Sequence, residues 1–435
     1  MSTTASAFTP SVSAQRADGQ AIGYLMQQGI ENADCLSLAA GFVDPETLPT
    51  ALVDKTASRL LSDSETGKLA LQYGTTGGSD RVRAVFRDYL ARLEGDEDRV
   101  HNVPLDQIML TTGSQQLLAL LTEAIFNEGD ICLVAAPTYF VYLGVLDGVG
   151  AQVIPVKTDD NGMCPDALDA ELRRIDELGQ LHKVKLVYVV SYHDNPAGIS
   201  VSNDRRPKLL EVTKRWSQDH PIYLLEDAAY RELHYDGEEL PSIWSFDTGY
   251  DSGDQQHVVL SQTFSKSFSP GLRVGLSVLP PELVKPISDL KGNQDFGSGH
   301  LSQNIVAEVL RTGEYWDHLA GLRTSYRAKR DAMVAAAEEF FSGIDGVTWR
   351  TPAGGLYVWM SLPEHIPTGF DSPLFARATE VDKVMYVPGE LCYPSGWEDR
   401  PRHQMRLSYG VLAAAGIREG MRRLASAVRA VIDSK

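Results

Sequence analysis

The sequence contains few cysteines, and none of them form the close pairs that bind zinc. Cys35, Cys132, Cys164 and Cys392 are scattered over 435 residues without a Cys-x-x-Cys spacing. This scatter argues against both a disulfide framework and a zinc site. We therefore expect reduced, partly buried thiols.

The chain also lacks an excess of basic residues and any long apolar run. Its formal net charge of -18 argues against nucleic-acid binding and against a basic patch for membrane surfaces. Residues 1–15 lack the apolar run of a signal peptide, and no later segment is apolar over a membrane-spanning length. We expect a soluble, cytoplasmic protein that acts on small molecules.

Residues 105–280 alternate between short apolar runs and amphipathic stretches. The apolar runs are rich in Val, Ile, Leu and Tyr, which is typical of an α/β domain with a largely parallel sheet. Ligands of open α/β sheets bind beyond the carboxyl ends of the strands, so a functional site is expected there. The predicted strands are 108–111, 131–135, 152–156, 185–191, 222–226, 258–261 and 274–279, and the predicted helices are 114–127, 164–178, 203–218 and 281–291.

The rest of the chain predicts a second, smaller α+β domain, since 435 residues are too many for one compact unit. We expect a flexible tail at 1–15, an N-terminal segment of the small domain at 16–60, a large domain at 61–305 and the C-terminal part of the small domain at 306–435. Its predicted elements are a long helical run at 302–341, strands at 347–350, 355–360, 384–387 and 405–409, and a closing helix at 413–432.

Lys266 lies between two serines, in a stretch that reads Ser-Lys-Ser-Phe-Ser-Pro-Gly-Leu-Arg from Ser265 to Arg273. A lysine amine attacks a carbonyl only as the free base, so a lysine that forms a Schiff base needs surroundings that lower its pKa from about 10.4. Lysines near prolines and glycines are usually solvated loop residues. The rest of the chain must therefore decide between these two interpretations.

The segment Thr-Thr-Gly-Ser-Gln-Gln, residues 111–116, follows a predicted strand and opens a predicted helix. Glycine permits close backbone approach and the free N–H groups of a helix start attract anions, so Gly113, Ser114 and Gln115 could hold a phosphate. An ordinary helix cap by Ser114 is the alternative. A helix terminus contributes only about 0.3–1 kcal/mol, so a further donor is needed, and the planar guanidinium of Arg273 is the candidate.

Three polar residues follow the predicted strands at 185–191 and 222–226. Asn195 could donate a hydrogen bond to a phenolate oxygen, although Asn-Pro is also a common turn. Asp227 ends an apolar strand and needs a cationic partner, for which a protonated pyridine nitrogen and a nearby arginine are the alternatives. Tyr230 could add a second donor to the phenolate oxygen, or keep its hydroxyl in water.

Tyr139 and Arg406 complete the set of candidate residues. Tyr139 follows a strand and could stack on a flat ring, although most such tyrosines pack against protein. Arg406 lies in an apolar strand, where an unpaired guanidinium is costly. It predicts either a bidentate carboxylate ligand or a structural salt bridge.

The order of these elements resembles that of the pyridoxal-phosphate-dependent aminotransferases of fold type I, class I/II. The resemblance covers roughly residues 20–432 and consists of six elements in a fixed order. They are a phosphate loop, a stacking tyrosine, an Asn-Pro turn, Asp-x-x-Tyr, Ser-Lys with an arginine seven residues on, and a late arginine. Segments 38–45 and 73–77 are similar to that family as well. Val-Pro-Gly at 387–389 and Arg-Leu-Ser at 406–408 look closest to its aminoadipate, aromatic and kynurenine aminotransferase branch.

The resemblance implies an enzyme that moves an amino group between an L-amino acid and a 2-oxo acid with pyridoxal phosphate as cofactor, and neither a metal, a nucleic acid nor a membrane as partner. It also implies a homodimer with shared active sites, because a tyrosine at the position of Tyr73 reaches the neighbouring subunit's phosphate in that family. The same resemblance also implies the role of each candidate residue. Lys266 binds the cofactor covalently and moves the proton, Asp227 pairs with the ring nitrogen, and Tyr139 stacks on the ring. The phenolate oxygen is bonded by Asn195 and Tyr230, the phosphate is held by Ser114, Gln115, Ser265 and Arg273, and the substrate is contacted by Gly41, Asn195 and Arg406.

Two departures from the family pattern bear on cofactor and substrate. Asp194 stands before Asn195 where relatives commonly have Gln or His, and its carboxylate either faces the ring or points away. Residues 21–24 offer no arginine for an acidic side chain, and Arg16 lies a little upstream, which favours aromatic or aliphatic amino donors.

Two other functions compete with transamination. Another fold type I enzyme, such as a lyase, a decarboxylase or a cyclopropane-forming synthase, would keep the same cofactor residues. A ligand-sensing regulator with an aminotransferase-like domain would need a basic DNA-binding module, for which only a short tail precedes residue 20.

Overall fold

The structure is a computed structural model that describes residues 8–17, 23, 34–248 and 254–433. In chain order its strands are β1 Leu36–Ser37, β2 Ile108–Thr111, β3 Ile131–Ala136, β4 Gln152–Asp159, β5 Gly162–Met163, β6 Val184–Val190, β7 Tyr223–Asp227, β8 Val258–Thr263, β9 Gly275–Val278, β10 Thr348–Trp349, β11 Tyr357–Ser361, β12 Val384–Met385, β13 Val387–Pro388 and β14 Gln404–Ser408. Its helices are α1 Val12–Arg16, α2 Thr50–Ser62, α3 Ser64–Leu71, α4 Asp80–Glu94, α5 Glu97–His101, α6 Ser114–Ile125, α7 Phe140–Val149, α8 Pro165–Glu177, α9 Arg205–Trp216, α10 Pro281–Asp295, α11 His300–Thr312, α12 Glu314–Phe341, α13 Pro373–Ala376 and α14 Ala414–Asp433.

An eight-stranded sheet, in the order β2-β9-β8-β7-β6-β3-β4-β5, organises the larger part of the chain. Strands β8, β7, β6, β3 and β4 are parallel to one another, whereas β9 pairs antiparallel with both neighbours and β5 antiparallel with β4. Strands β2, β3, β7, β8 and β9 are buried along their whole length, as continuous apolar runs require. The predicted α/β class with a mostly parallel sheet is confirmed.

The candidate residues follow the carboxyl ends of four strands of this sheet. Asp227 is the last residue of β7 and pairs in register with Val190, the last residue of β6. Strand β8 ends two residues before Ser265, and β2 ends two residues before Gly113. Because β2 and β8 both run opposite to β9, all four carboxyl ends lie at the same edge of the sheet.

A second sheet of four antiparallel strands, β10-β11-β14-β13, carries Arg406 on β14. Helices α12 and α14 pack against each other, and α14 also contacts β1 and β12. Strand β1, from the N-terminal part of the chain, pairs parallel with β12, and the N–H of Ser408 donates to Leu38 O at 2.7 Å. These pairings place the backbone around Gly41 next to β14.

One predicted element differs in the structure, and one helix was not predicted. The helical run expected at 302–341 is two helices, α11 and α12, divided at Gly313, whose φ of 79° ends α11. Helix α7 was not predicted, because its residues are almost all apolar and show no helical period. Of the tail predicted at 1–15, residues 1–7 lie outside the described residues, and residues 12–15 belong to α1, which Ser11 caps by accepting from the N–H of Ala14.

The four cysteines are unpaired, with Cys132 and Cys392 buried and the other two partly buried. Burial raises the pKa of the Cys35 thiol to about 11. In the part of the chain that the structure describes, no helix is both long enough and apolar enough to cross a bilayer.

Candidate active site

A cavity at the carboxyl edge of the main sheet brings together most of the predicted site residues. Beyond them, Val190, Ala229 and Thr263 complete its wall. Gly41 and Arg406 adjoin the cavity through contacts described below, and Tyr73 lies elsewhere. The predicted residues in the wall are Ser114, Gln115, Tyr139, Asn195, Asp227, Tyr230, Ser265, Lys266 and Arg273.

Among the described residues, the Lys266 amine makes one hydrogen bond, to a backbone oxygen. Its Nζ donates to Gly41 O at 2.7 Å, and no carboxylate of the described residues forms an ion pair with it. Burial is the main cause that lowers the pKa of this amine, and the positive charges of Arg406 and Arg273 lower it further. These surroundings meet the requirement for a lysine that reacts as the free base.

The N-terminus of α6 faces the guanidinium of Arg273. Gly113 precedes the helix with φ 72°, and a Cβ at that position would lie 2.6 Å from Arg273 Nη2. Arg273 in turn donates to Ser265 Oγ and to Thr112 O, both at 3.3 Å. Ser114 is the first helical residue and makes no side-chain cap, so the alternative of an ordinary serine cap is not observed. A helix start next to an arginine is an arrangement that can hold an anion.

Asp227 is buried without a cationic partner among the described residues. Its Oδ2 accepts a hydrogen bond from Tyr188 at 2.9 Å, while its Oδ1 is buried and has no hydrogen-bond partner in the described part of the chain. Burial raises the pKa of this carboxyl to about 6, and the Tyr188 hydroxyl opposes that rise. The alternative in which an arginine pairs with Asp227 is therefore not observed, and one oxygen remains free for a ligand.

Arg406 is also buried without a carboxylate among the described residues. Its Nη1 donates to Asn195 Oδ1 at 2.8 Å and its Nη2 to Ala39 O at 2.8 Å, while its Nε is buried and has no partner within the described ranges. The structural salt bridge considered for Arg406 is not observed. A buried guanidinium held only by neutral oxygens can take an anionic ligand.

Tyr357 is a site residue that the sequence did not reveal. Its hydroxyl lies 3.1 Å from that of Tyr230, and the guanidinium carbon of Arg406 lies 4.4 Å from the centre of its ring. A Cβ on Gly41 would come within 2.9 Å of the same hydroxyl. Nothing in the local sequence distinguishes Tyr357 from other aromatic residues of an apolar strand, so no signal could have found it.

Glu232 is a second residue that the sequence did not reveal, and it contacts Ser267, the residue after Lys266. Its Oε1 accepts from Ser267 Oγ at 3.5 Å and also from Tyr89. Burial raises the pKa of its carboxyl. Its position five residues after Asp227, next to an arginine, gave no reason to expect a buried carboxylate.

Asp194 points away from the cavity. Its Oδ1 accepts from the N–H of Ile199 at 2.7 Å within its own turn, and it is not part of the cavity wall. Burial raises the pKa of this carboxyl to about 7. Of the two orientations considered for this side chain, the one that avoids the ring site is observed.

Tyr139, Tyr73 and Arg16 have different surroundings. Tyr139 precedes α7 and lines the cavity. Tyr73 is 86% exposed, with its ring centre 6.4 Å from that of Phe296, outside the cavity of its own chain. Arg16 donates to Glu128 at 2.5 Å, and in the segment 21–24 only residue 23 is among the described residues.

Known aminotransferases are similar to this protein along nearly the whole chain. Aromatic-amino-acid aminotransferase 1 of Thermococcus litoralis is 33% identical over 402 residues, which cover 92% of this chain and 89% of its own. The crystal structure of a multiple substrate aminotransferase from Thermococcus profundus matches with a TM-score of 0.87 at 32% identity, covering 98% of both chains. The kynurenine aminotransferase of Pyrococcus horikoshii, solved with PMP, matches with a TM-score of 0.86 at 31% identity over 97% of both chains. Residues 33–424 match the family described as aminotransferase class I and II, and the chain therefore belongs to this family of pyridoxal-phosphate-dependent transaminases.

Proposed function

We propose that this aminotransferase exchanges amino groups between aromatic or aliphatic L-amino acids and 2-oxo acids, with Lys266 as its catalytic lysine. The observation that carries the proposal is that Lys266 and Asp227 line one cavity and that neither has an ion-pair partner in the described parts of the chain. Buried ionisable groups without partners are costly for folding and typical of functional sites. Both are therefore available to a ligand that carries a carbonyl and a cationic nitrogen.

The cavity fits pyridoxal phosphate at both ends of that molecule. The free Oδ1 of Asp227 suits a protonated ring nitrogen, and the helix start at Ser114 and Gln115, with Ser265 and Arg273, suits a phosphate. Between them, Asn195 and Tyr230 would bond the phenolate oxygen and Tyr139 would stack on the ring. When bound, the cofactor supplies a carbon that accepts the amino group and a ring that withdraws electrons from the substrate Cα.

The chain's own groups divide the remaining work. Nζ of Lys266, whose pKa is lowered by burial, would carry a proton between the substrate Cα and the carbon that bears the amino group. Arg406 would bind the substrate α-carboxylate, and its bond to Asn195 Oδ1 would leave the Asn195 amide to donate to the phenolate oxygen. The backbone of Gly41 would border the substrate.

The preference for uncharged side chains rests on residues 21–24, which contain no arginine that could receive an acidic side chain. The nearest arginine upstream, Arg16, is paired with Glu128. A screen of amino donors against 2-oxoglutarate and pyruvate tests the preference, and faster turnover of glutamate or aminoadipate than of aromatic or aliphatic donors would contradict it. Release of ammonia or carbon dioxide without 2-oxo acid would instead favour a lyase or decarboxylase.

We further propose that the chain acts in the cytoplasm as a homodimer, with large and small domains divided near residues 60 and 305. Leu71, Tyr73 and Phe296 form an exposed apolar patch, with each side chain more than 65% exposed, which favours burial against a second copy. Tyr73 would then reach the cofactor phosphate of the other subunit.

Mixed dimers test this sharing of sites. Lys266→Ala and Tyr73→Ala homodimers should each have little activity, while a mixture of the two after subunit exchange should regain one native site per hybrid. No recovery in hybrids shown to form would contradict a shared site.

A further inference from the structure

Tyr188 contacts Asp227 from inside the sheet, beside the cavity. Tyr188 lies on β6, two residues before Val190, which pairs in register with Asp227. Alternate residues of a strand face the same side, so Tyr188 and Val190 share a face. The side chain of Tyr188 is fully buried, and its hydroxyl donates to Asp227 Oδ2 at 2.9 Å.

This hydrogen bond distinguishes the two oxygens of the Asp227 carboxylate. Oδ2 accepts from Tyr188, whereas Oδ1 has no hydrogen-bond partner among the residues that the structure describes. A carboxylate held by one oxygen cannot exchange its two oxygens by rotation without breaking that bond. The oxygen that the described residues leave without a partner is therefore Oδ1, and it is available to a ligand in the cavity.

We propose that Tyr188 is a positioning residue, which directs Oδ1 of Asp227 toward the cofactor's ring nitrogen and keeps Asp227 a weak enough base for the proton to stay on that nitrogen. The proposal rests on the role of Asp227 in the proposed function. It concerns a residue outside the cavity wall, which acts on the cofactor only through Asp227.

The physical reason is competition for one proton between the ring nitrogen and Oδ1. A hydrogen bond to the charged form of a carboxyl lowers its pKa, and Tyr188 provides the largest such effect on Asp227, followed by the backbone at Ala229, while burial and the charge of Glu226 act in the opposite direction. Without the Tyr188 hydroxyl, Asp227 would be the stronger base and would compete better for the proton that a bound ring nitrogen carries.

Tyr142 offers a matched control for the loss of a buried hydroxyl. Its ring centre lies 4.3 Å from that of Tyr188, and it is equally buried. Its hydroxyl lies 3.1 Å from Thr122 Oγ1 and is not bonded to Asp227. Tyr142→Phe therefore disturbs the same ring cluster without removing the bond under test.

The first measurement uses the protein without cofactor. Infrared titration of isotope-labelled aspartate, with the Asp227 band assigned by its loss in Asp227→Asn, should show the pKa of Asp227 raised by about one unit or more in Tyr188→Phe. Tyr142→Phe should leave this pKa unchanged. A fluorinated tyrosine at position 188, whose more acidic hydroxyl is a stronger donor, should lower it, which gives a second test of opposite sign if Tyr188→Phe folds poorly.

The second measurement uses the holoenzyme reconstituted with pyridoxal phosphate labelled at the ring nitrogen. The nitrogen resonance of Tyr188→Phe should move toward the unprotonated position, and its cofactor should dissociate about tenfold faster, with neither change in Tyr142→Phe. An unchanged pKa of Asp227 in Tyr188→Phe, or an equal shift in Tyr142→Phe, would overturn the proposal. A shifted pKa with an unchanged nitrogen resonance would overturn it as well, whereas a wild type that binds no cofactor would contradict the proposed function itself.

Discussion

Replacement of Arg406 by lysine should slow the reaction of carboxylate-bearing substrates by a predictable factor. In the structure the two terminal nitrogens of Arg406 each donate one hydrogen bond of 2.8 Å to a neutral oxygen, a fork that matches the two oxygens of an α-carboxylate. Lysine retains the charge but not the fork. A hydrogen bond to a charged group contributes about 1.5–3 kcal/mol, so the loss of one should lower kcat/KM about 10- to 150-fold.

The assay is the single-turnover rate of the first half-reaction, followed by the cofactor absorbance and normalised to bound cofactor. An amino acid and the corresponding amine without its carboxylate are compared in wild type and Arg406→Lys. Because the amine has no group for Arg406 to bind, its rate should be nearly unchanged by the substitution. Arg350→Lys, at a half-exposed arginine paired with Asp160, serves as the control.

Two results would contradict a contact between Arg406 and the substrate α-carboxylate. An equal loss of rate for amino acid and amine would mean that the substitution disturbs the cofactor or the fold, through the freed Asn195 Oδ1, and not the carboxylate contact. A loss below about threefold for the amino acid, far less than one charged hydrogen bond contributes, would place the carboxylate elsewhere.

Further predictions concern the anion site and the pH dependence of stability. Gly113→Ala should raise the Kd for pyridoxal phosphate about tenfold or more in equilibrium dialysis, because its methyl group would lie 2.6 Å from Arg273 Nη2. Gly179→Ala is the control and should not change the Kd, because Gly179 has a similar φ of 68° but a Cβ there would have no atom of the described residues within 4 Å. The pKa of Asp194 is raised to about 7 in the folded protein. Its contribution to the free energy of unfolding should therefore be fully present below pH ~4 and lost as the pH rises to ~7. Asp194→Asn should therefore flatten this fall, by up to about 4 kcal/mol, in urea unfolding of the cofactor-free protein between those pH values; a parallel pH profile in the variant would show that Asp194 ionises as freely in the folded chain as in the unfolded one.

The sheet and the cavity residues that follow its strands were predictable from local sequence. Apolar runs of β-branched residues mark β3, β6 and β8, and parallel strands must present their carboxyl ends at one edge. The motif residues Lys266, Asp227 and Asn195 follow such ends, so their meeting in one cavity needed no further information. Lys266 was recognisable only through its partners, as its own neighbourhood of serines is common in loops.

What the sequence could not predict depends on contacts between distant segments. Tyr357 and Tyr188 reach the site through sheet pairings and look like ordinary core aromatics. The orientation of Asp194 depends on the N–H of Ile199 within a folded turn. The break at Gly313 was missed because the apolar period continues across it, while only the left-handed φ of the glycine ends the helix.

Borohydride reduction followed by peptide mass mapping will show whether Lys266 binds the cofactor covalently. Borohydride makes the bond between lysine and pyridoxal phosphate permanent, so the modified peptide identifies the lysine. The added cofactor mass should be found on the peptide that contains Lys266, and both this mass and the visible absorbance should be absent in Lys266→Ala. Cofactor mass on another lysine of the wild type, or a colourless wild type that cannot be reconstituted, would contradict this attachment.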